Sequence, residues 1–217
     1  MDFFSSFKKE YFPLNTIEVS REALLHNYKY LQSLGDLQIA PVFKSNAYGH
    51  GLGIASKILD EVHAPMFFVD SIYEGYELLK HKVKTPIVIM GYVDPRNLAV
   101  KKLPFSYAIS NREALESIHK YQPHAPIHIF IDTGMRREGI PMSDLATFIE
   151  ILRSMKHLNV VGLMSHFAAS DNFNELTELQ VKNFQIAQAL FTTSGFDLKW
   201  IHHANSSAVL NYKNYKG

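Results

Sequence analysis

The sequence contains no cysteine in 217 residues. This absence excludes disulfide scaffolds and thiolate metal sites, and it suits a reducing compartment. The chain also lacks an excess of charge of either sign, because 22 basic and 21 acidic side chains leave a formal net charge of +1. Nothing in that balance favours a nucleic acid or an anionic membrane as a partner.

Long apolar runs are missing as well, and no stretch approaches the length of a membrane span. The N-terminal residues 1–12 begin with an aromatic pair but are interrupted by Lys8, Lys9 and Glu10. A signal peptide instead has an early positive region followed by an unbroken apolar core. We therefore expect a cytoplasmic protein.

What the chain does have is enough apolar material for one substantial core, with 47% hydrophobic and 20% charged residues. Short apolar runs alternate with segments of helical periodicity, which is typical of repeated βα units around a parallel sheet. N-caps are predicted at Ser20, Asn111 and Ser143. Seven strands are predicted, at residues 39–43, 66–69, 87–90, 105–109, 127–131, 160–164 and 200–203.

Seven strands in succession favour an α/β fold of the (β/α)8 TIM-barrel type that lacks its last strand. An open, doubly wound sheet remains an alternative on the pattern alone. No Gly-x-Gly-x-x-Gly turn follows the first predicted strand, so dinucleotide binding has no support.

Chemically rich loops follow four of the predicted strands, at residues 44–51, 132–137, 166–168 and 202–206. All four lie at the C-terminal ends of strands, the face on which parallel βα barrels carry their active sites. Lys44 begins the first of these loops. Its amine would be partly desolvated at the rim of the core, which favours the neutral nucleophile needed for a Schiff base. A lone lysine at a strand end is more often a solvent-directed side chain, so the neighbouring residues decide the interpretation.

The residues near Lys44 favour a phosphorylated aldehyde cofactor. Tyr48 offers a hydroxyl, and the glycines that follow it allow close backbone approach to a ligand. Asn205 and Ser206 introduce a helix whose free amides suit a phosphate, although an ordinary helix cap explains them equally well. A lysine, a hydroxyl and a phosphate cradle on one face together meet the requirements of pyridoxal phosphate.

Residues 42–51, Val-Phe-Lys-Ser-Asn-Ala-Tyr-Gly-His-Gly, closely resemble the cofactor-lysine motif of bacterial alanine racemases. Residues 132–135 with Arg137 and Gly139, residues 162–168 and residues 202–208 resemble three further motifs in the family's order and spacing. The likeness runs from about Thr16 onward. We therefore expect residues 1–15 to be a leader and residues 16–217 to be one pyridoxal-phosphate-binding barrel domain, incomplete at its C-terminal end.

The resemblance implies an isomerase that interconverts L-alanine and D-alanine, the latter for the cell wall, and that is a homodimer in its full-length form. It implies that Lys44 holds the cofactor as a Schiff base and is one of two acid/base groups. It implies further cofactor-binding roles for Tyr48 and Ser206 at the phosphate, Arg137 at the phenolic oxygen, His166 against the pyridine ring, and Asn205 together with His202 behind them.

The sequence departs from the family pattern in three respects. The family continues into a C-terminal β domain that carries the second base, a tyrosine, so we expect this chain alone to bind cofactor but to be poorly active. Phe130 stands where many members have a carbamylated lysine that orients the arginine. Arg136 replaces a glycine and Glu138 an apolar residue, which weakens the choice of Arg137 over Arg136.

Two other functions remain open at this point. A non-catalytic, single-domain pyridoxal-phosphate homeostasis protein has a similar length and also uses a barrel lysine. A metal hydrolase on a βα barrel would use His50, His166, His202 or His203, but such a site needs several converging ligands, and adjacent strand residues point to opposite faces.

Overall fold

The computed structural model describes residues 14–35, 37–172 and 174–212, so most of the predicted leader lies outside the described residues. Its strands are β1 (Phe67–Val69), β2 (Ile87–Ile89), β3 (Phe105–Ile109), β4 (Pro126–Asp132), β5 (Ile140–Pro141), β6 (Asn159–Met164) and β7 (Trp200–His202). Its helices are α1 (Arg21–Ser33), α2 (Lys44–Tyr48), α3 (Leu52–Asp60), α4 (Ile72–Lys80), α5 (Pro95–Val100), α6 (Arg112–Tyr121), α7 (Leu145–Ser154), α8 (Glu175–Thr193) and α9 (Ser206–Asn211).

The strands form one parallel sheet in the order β1-β2-β3-β4-β6-β7. The short strand β5, which was not predicted, pairs with the end of β4. The inward-facing rings of the two outermost strands, Phe68 on β1 and His202 on β7, lie only 5.4 Å apart between centroids. The sheet is therefore curled into an incomplete barrel, and the predicted TIM-type architecture is confirmed.

The first predicted strand, residues 39–43, is reduced to a single parallel bridge between Val42 and Phe68. The Phe43 amide donates to the Phe68 carbonyl at 2.8 Å, and the Phe68 amide donates to the Pro41 carbonyl at 2.9 Å. Pro41 has no N–H of its own, so the ladder cannot extend regularly through this segment. The segment still runs beside β1 and delivers Lys44 to the C-terminal edge of the sheet.

Two apolar layers follow from the alternation of side chains along the strands. On β4, Ile127, Ile129 and Ile131 face the helices and are fully buried. The opposite face forms the inner layer of the curled sheet, which contains Met66, Phe68, Val88, Ala108, Phe130 and Met164. Phe130, at the position for which the resemblance led us to expect a lysine in many members, is thus a buried phenyl ring of this inner layer.

Helix starts are set by side-chain caps, as the sequence predicts for Ser20 and Asn111. The prediction that Ser143 caps the next helix is wrong. Ser143 lies in a 3-10 turn, and α7 begins at Leu145 after Asp144, which makes no side-chain capping bond. The Ser143 hydroxyl donates instead to the adjacent Asp144 carboxylate at 2.8 Å, so it does not reach the amides of the helix.

Two findings concern the periphery of the fold. Residues 16–19 belong to none of the strands that the structure describes, and the Ile17 side chain is 83% exposed. Among the helices in the described ranges, none has both the length and the hydropathy of a membrane span.

Candidate functional site

Lys44 begins α2, which is a single short turn with left-handed backbone angles. The next four residues, Ser45 to Tyr48, have φ between 53° and 55°, which is the left-handed helical region. None of them is glycine, and each L-residue in this conformation costs about 1–2 kcal/mol. Such strain persists only where the surrounding structure over-determines it, and it is concentrated at functional sites.

Hydrogen bonds from both sides hold this turn. The Ala47 amide donates to the Phe43 carbonyl at 2.8 Å, and the Gly49 and Gly51 amides both donate to the Asn46 carbonyl at 3.1 Å. The Asn46 side-chain oxygen accepts from the Leu52 amide at 2.8 Å, which joins the turn to the start of α3. The turn is therefore a defined support for the lysine that precedes it.

Three of the predicted site residues share one neighbourhood at the C-terminal edge of the sheet. Burial lowers the pKa of His166, and the positive charges of Arg137 and Lys44 lower it further. His166 thus lies within electrostatic reach of both cations, and its burial and their charges together disfavour its protonated form. The Lys44 Nζ also lies 6.0 Å from the centroid of the Tyr48 ring, and that ring is 62% exposed.

The loop after β4 presents Arg137. The Asp132 carboxylate accepts from the amides of Gly134 and Arg136, each at 3.0 Å, and thereby shapes the loop. The Arg137 guanidinium lies 3.2 Å from the Glu138 carboxylate, and both side chains are almost half exposed. Arg137 is thus a cation at the mouth of the site with a carboxylate beside it, a pairing that the family resemblance did not lead us to expect.

Asn205 and Ser206 lie after β7, the strand whose His202 meets Phe68 of β1 across the inner layer. Asn205 caps α9 by accepting from the Ala208 amide at 2.9 Å, and it also accepts from the Ser170 hydroxyl at 2.7 Å. Ser206 is exposed at the first position of α9. Both residues therefore sit on the same edge as Lys44, and Asn205 is tied to the segment that follows β6.

The histidines considered for a metal site are held by different contacts. His202 is hydrogen-bonded to His128 at 3.2 Å, and His203 stacks on Phe167 at a centroid separation of 3.8 Å. His50 bonds to the Ala47 carbonyl at 2.9 Å. Within the described ranges, no group of three or more histidines and carboxylates is placed to hold a metal ion.

The pair formed by His128 and His202 lies inside the curled sheet and was not foreseen from the sequence. Burial lowers the pKa of His128 to about 3, helped by the charge of His202, and burial lowers the pKa of His202 to about 4. Gly162 makes room for the pair, since a Cβ there would lie 2.3 Å from the His128 Nδ1. The resemblance grouped His202 with Asn205, but His202 contacts His128 inside the sheet and Asn205 contacts Ser170.

Sequence reasoning also missed Gln180, a fully buried amide on α8. Its Oε1 accepts from the Ala168 amide at 2.9 Å, while its Nε2 donates to the His166 carbonyl at 2.9 Å and to the Thr133 hydroxyl at 3.2 Å. Gln180 therefore connects the loop that carries Arg137 to the loop that carries His166. Its position on the same helical face as buried Phe184 and Phe191 is a signal that could have revealed it.

The Thr133 hydroxyl continues this connection inward. The Ser165 hydroxyl donates to the Ile131 carbonyl at 2.8 Å, and it lies 2.8 Å from the Thr133 hydroxyl. Because the Ser165 proton is committed to the carbonyl, Thr133 must donate to Ser165 and accept from Gln180. A single directed chain of hydrogen bonds thus crosses from α8 to β4.

Comparison with known proteins identifies the relatives of this chain. The family model for the N-terminal domain of alanine racemase matches residues 19–216. The alanine racemase of Geobacter sulfurreducens is 33% identical over 206 residues, which covers 88% of this chain and 53% of that protein.

Solved structures agree with the fold. The alanine racemase of Bacillus anthracis with bound L-Ala-P superposes with a TM-score of 0.80 at 27% identity, covering 89% of this chain and 52% of that one. The Clostridium difficile 630 alanine racemase in complex with cycloserine superposes with a TM-score of 0.80 at 25% identity, covering 89% and 55%. The present chain spans about half the length of the curated relatives it matches.

Proposed function

The chain belongs to the alanine racemase N-terminal domain family, and from this membership we propose that it holds pyridoxal phosphate on Lys44 for the interconversion of L-alanine and D-alanine. The observation that carries the proposal is the convergence of Lys44, Arg137 and a neutral His166 at the C-terminal edge of the curled sheet. This family membership favours a racemase domain over a non-catalytic homeostasis protein.

The residues present fit the cofactor. A primary amine on a rigid turn suits an aldehyde, and the flat, neutral His166 ring suits contact with an aromatic heterocycle. Arg137 and Lys44 make the site cationic, which suits an anionic ligand. The exposed hydroxyls of Tyr48 and Ser206 are donors for phosphate oxygens. We assign Asn205 a supporting role, since it caps α9 and binds Ser170.

When bound, pyridoxal phosphate withdraws electrons from the α-carbon of an amino acid and so makes the α-hydrogen acidic. The chain's own residues then have defined tasks. Lys44 Nζ takes or returns a proton on one face of the substrate, and such a positioned acid/base group is worth about 10²–10⁴-fold in rate. Arg137 would bind the phenolic oxygen of the ligand, and His166 would pack against its ring.

The proposal includes three broader properties of the family. Alanine is the substrate, a second copy of the chain is the partner, and the cytoplasm is the location. Since the chain spans about half of its relatives, we assign to it one proton-transfer group, Lys44, and leave the group for the opposite face unassigned.

Covalent trapping tests the proposal. The chain is incubated with saturating pyridoxal phosphate, reduced with borohydride, digested and analysed by mass spectrometry. We expect one pyridoxyl group per chain, on Lys44, and its loss in Lys44→Ala. The matched control is Lys57→Ala, which removes an exposed lysine from α3 and should leave labelling unchanged. A label spread over the surface lysines, with Lys44 unmodified, would contradict the proposal.

A further inference from the structure

The Glu74 carboxylate joins two parts of the chain that are far apart in sequence. Its Oε2 accepts from the amides of Asp70 and Ser71 at 2.8 and 3.2 Å, while the Glu74 amide donates to the Ser71 hydroxyl at 3.2 Å. The two bonds between Ser71 and Glu74 form the capping box at the start of α4, and the bond from the Asp70 amide is additional to it. The other carboxylate oxygen of Glu74, Oε1, accepts from the Ser45 amide at 2.7 Å.

The bond to Ser45 is not needed for capping. A capping box is complete when the serine and glutamate exchange bonds with each other's backbone amides, and Ser71 and Glu74 already do so. The Ser45 amide lies 29 residues earlier in the chain and belongs to a different loop. A charged acceptor at 2.7 Å makes this one of the stronger hydrogen bonds available to a backbone amide.

The position of that amide gives the bond its significance. The Ser45 N–H belongs to the peptide unit that links Lys44 to Ser45, the first residue of the left-handed turn. Holding this N–H sets the plane of the peptide unit and therefore the direction in which the Lys44 side chain leaves the sheet edge. The left-handed residues are intrinsically unfavourable, so an external anchor at the start of the turn counts more than it would in a right-handed helix.

We propose that Glu74 is a positioning residue for Lys44, acting through the Ser45 amide rather than by touching the ligand. The inference rests on the proposed function, in which Lys44 holds the cofactor. Loss of the Glu74 carboxylate would let the turn relax and would spread the Lys44 amine over more orientations. Its reaction with the cofactor aldehyde would then slow more than the loss of helix capping can explain.

Ser71 provides a matched control. Ser71→Ala removes the other side-chain bond of the same capping box but leaves the Glu74–Ser45 contact in place. Glu74→Ala removes all three of the bonds that the carboxylate accepts, from the amides of Asp70, Ser71 and Ser45. The two variants therefore share the weakening of α4, and Glu74→Ala differs in losing the support of the Lys44 turn together with the bond from the Asp70 amide. Glu74→Gln is a milder third variant, because it keeps one acceptor oxygen for either the cap or Ser45.

Two measurements on the full chain test the proposal. The first, made without cofactor, is hydrogen exchange at the Ser45 amide, which reports the bond directly. The second is the rate at which pyridoxal phosphate becomes trapped on Lys44 by borohydride, followed together with the visible absorbance of the bound cofactor. We expect Glu74→Ala to accelerate Ser45 exchange and to slow trapping, each about tenfold, the effect of losing one charge-assisted bond. Ser71→Ala should stay within about twofold of the parent in both.

Across all the variants, the trapping rate should follow Ser45 protection rather than the free energy of unfolding. Equal slowing in Glu74→Ala and Ser71→Ala would overturn the proposal, and so would fast Ser45 exchange with undiminished trapping. If Glu74→Ala does not fold, Glu74→Gln replaces it: its Ser45 exchange shows whether that bond is kept, and slow trapping with Ser45 protection intact would overturn the proposal. Failure of the parent chain to label Lys44 would refute the proposed function instead, and Ser45 exchange would still decide whether Glu74 anchors the turn.

Discussion

Gln180→Met should destabilise the chain far more than the small change in side-chain volume would suggest. Methionine is unbranched and fills a similar space, so the substitution removes hydrogen bonds while it keeps most of the packing. Three hydrogen-bond partners are affected, namely the Ala168 amide, the His166 carbonyl and the Thr133 hydroxyl, and the glutamine side chain that serves them is 0% exposed.

The magnitude can be estimated from these three partners. The Ala168 amide loses its acceptor, and because Ala168 is itself exposed, water can partly replace that bond, which leaves a cost of about 1 kcal/mol. The His166 carbonyl and the Thr133 hydroxyl each lose one donor, and a typical net contribution is about 1 kcal/mol apiece. Thr133 keeps its bond to Ser165, which limits its share. We therefore expect the free energy of unfolding to fall by about 3 kcal/mol, a large fraction of a domain's usual stability.

Urea denaturation followed by circular dichroism measures this loss through the midpoint and slope of the transition. The control is Gln188→Met, on the same helix at an exposed position, where a surface change should stay within about 0.5 kcal/mol. A Gln180→Met loss no larger than that of the control would show that the link between the loops of Arg137 and His166 adds nothing to stability, and the reasoning would be wrong.

Two further predictions concern pH and backbone strain. His128 and His202 have folded pKa values of about 3 and about 4, so they stay neutral in the folded chain while the imidazoles of the unfolded chain protonate near pH 6.5. The free energy of unfolding should therefore fall as the pH drops below 6.5, by about 2 kcal/mol per imidazole between pH 7 and pH 5. Urea midpoints at both pH values check this, and an unchanged pH dependence of stability in His128→Leu would count against it. Gly139→Ala should destabilise the chain more than Gly195→Ala. Both residues have positive φ, but only at Gly139 would an added Cβ meet backbone, 2.7 Å from the Asp132 amide nitrogen. Thermal melts of the two variants give the comparison, and equal shifts in Tm would refute the prediction.

Much of the secondary structure was accessible to pattern analysis. The strand at residues 105–109 has the predicted bounds, and two helices begin after the predicted caps Ser20 and Asn111, because each carries a clear apolar period or an end signal. The failures occur where a local signal was ambiguous. Ser143 resembles an N-cap, but its hydroxyl is taken by Asp144, and residues 39–43 resemble a strand although Pro41 interrupts the ladder.

The candidate site divides in a similar way. Lys44 and the loops that hold Arg137, His166 and Asn205 could be assigned to one edge, since parallel strands all end there. The partners of Gln180 and His128 could not be assigned, because a polar residue inside an apolar pattern shows only that a hydrogen-bond partner exists and not which residue it is. Their partners lie 12, 14 and 47 residues away for Gln180 and 74 residues away for His128.

Local chemistry in the sequence was thus sufficient for the class of fold, for the choice of Lys44 as the proposed reactive lysine and for the edge of the sheet on which it lies. The hand of the turn after Lys44, the anchoring of that turn by Glu74 and the pairing of His128 with His202 arose from folding in three dimensions. The physical reason is that a period or a cap is encoded in neighbouring residues. A strained turn, by contrast, is stable only when hydrogen bonds from distant segments outweigh its conformational cost, and those segments meet only after the sheet has curled.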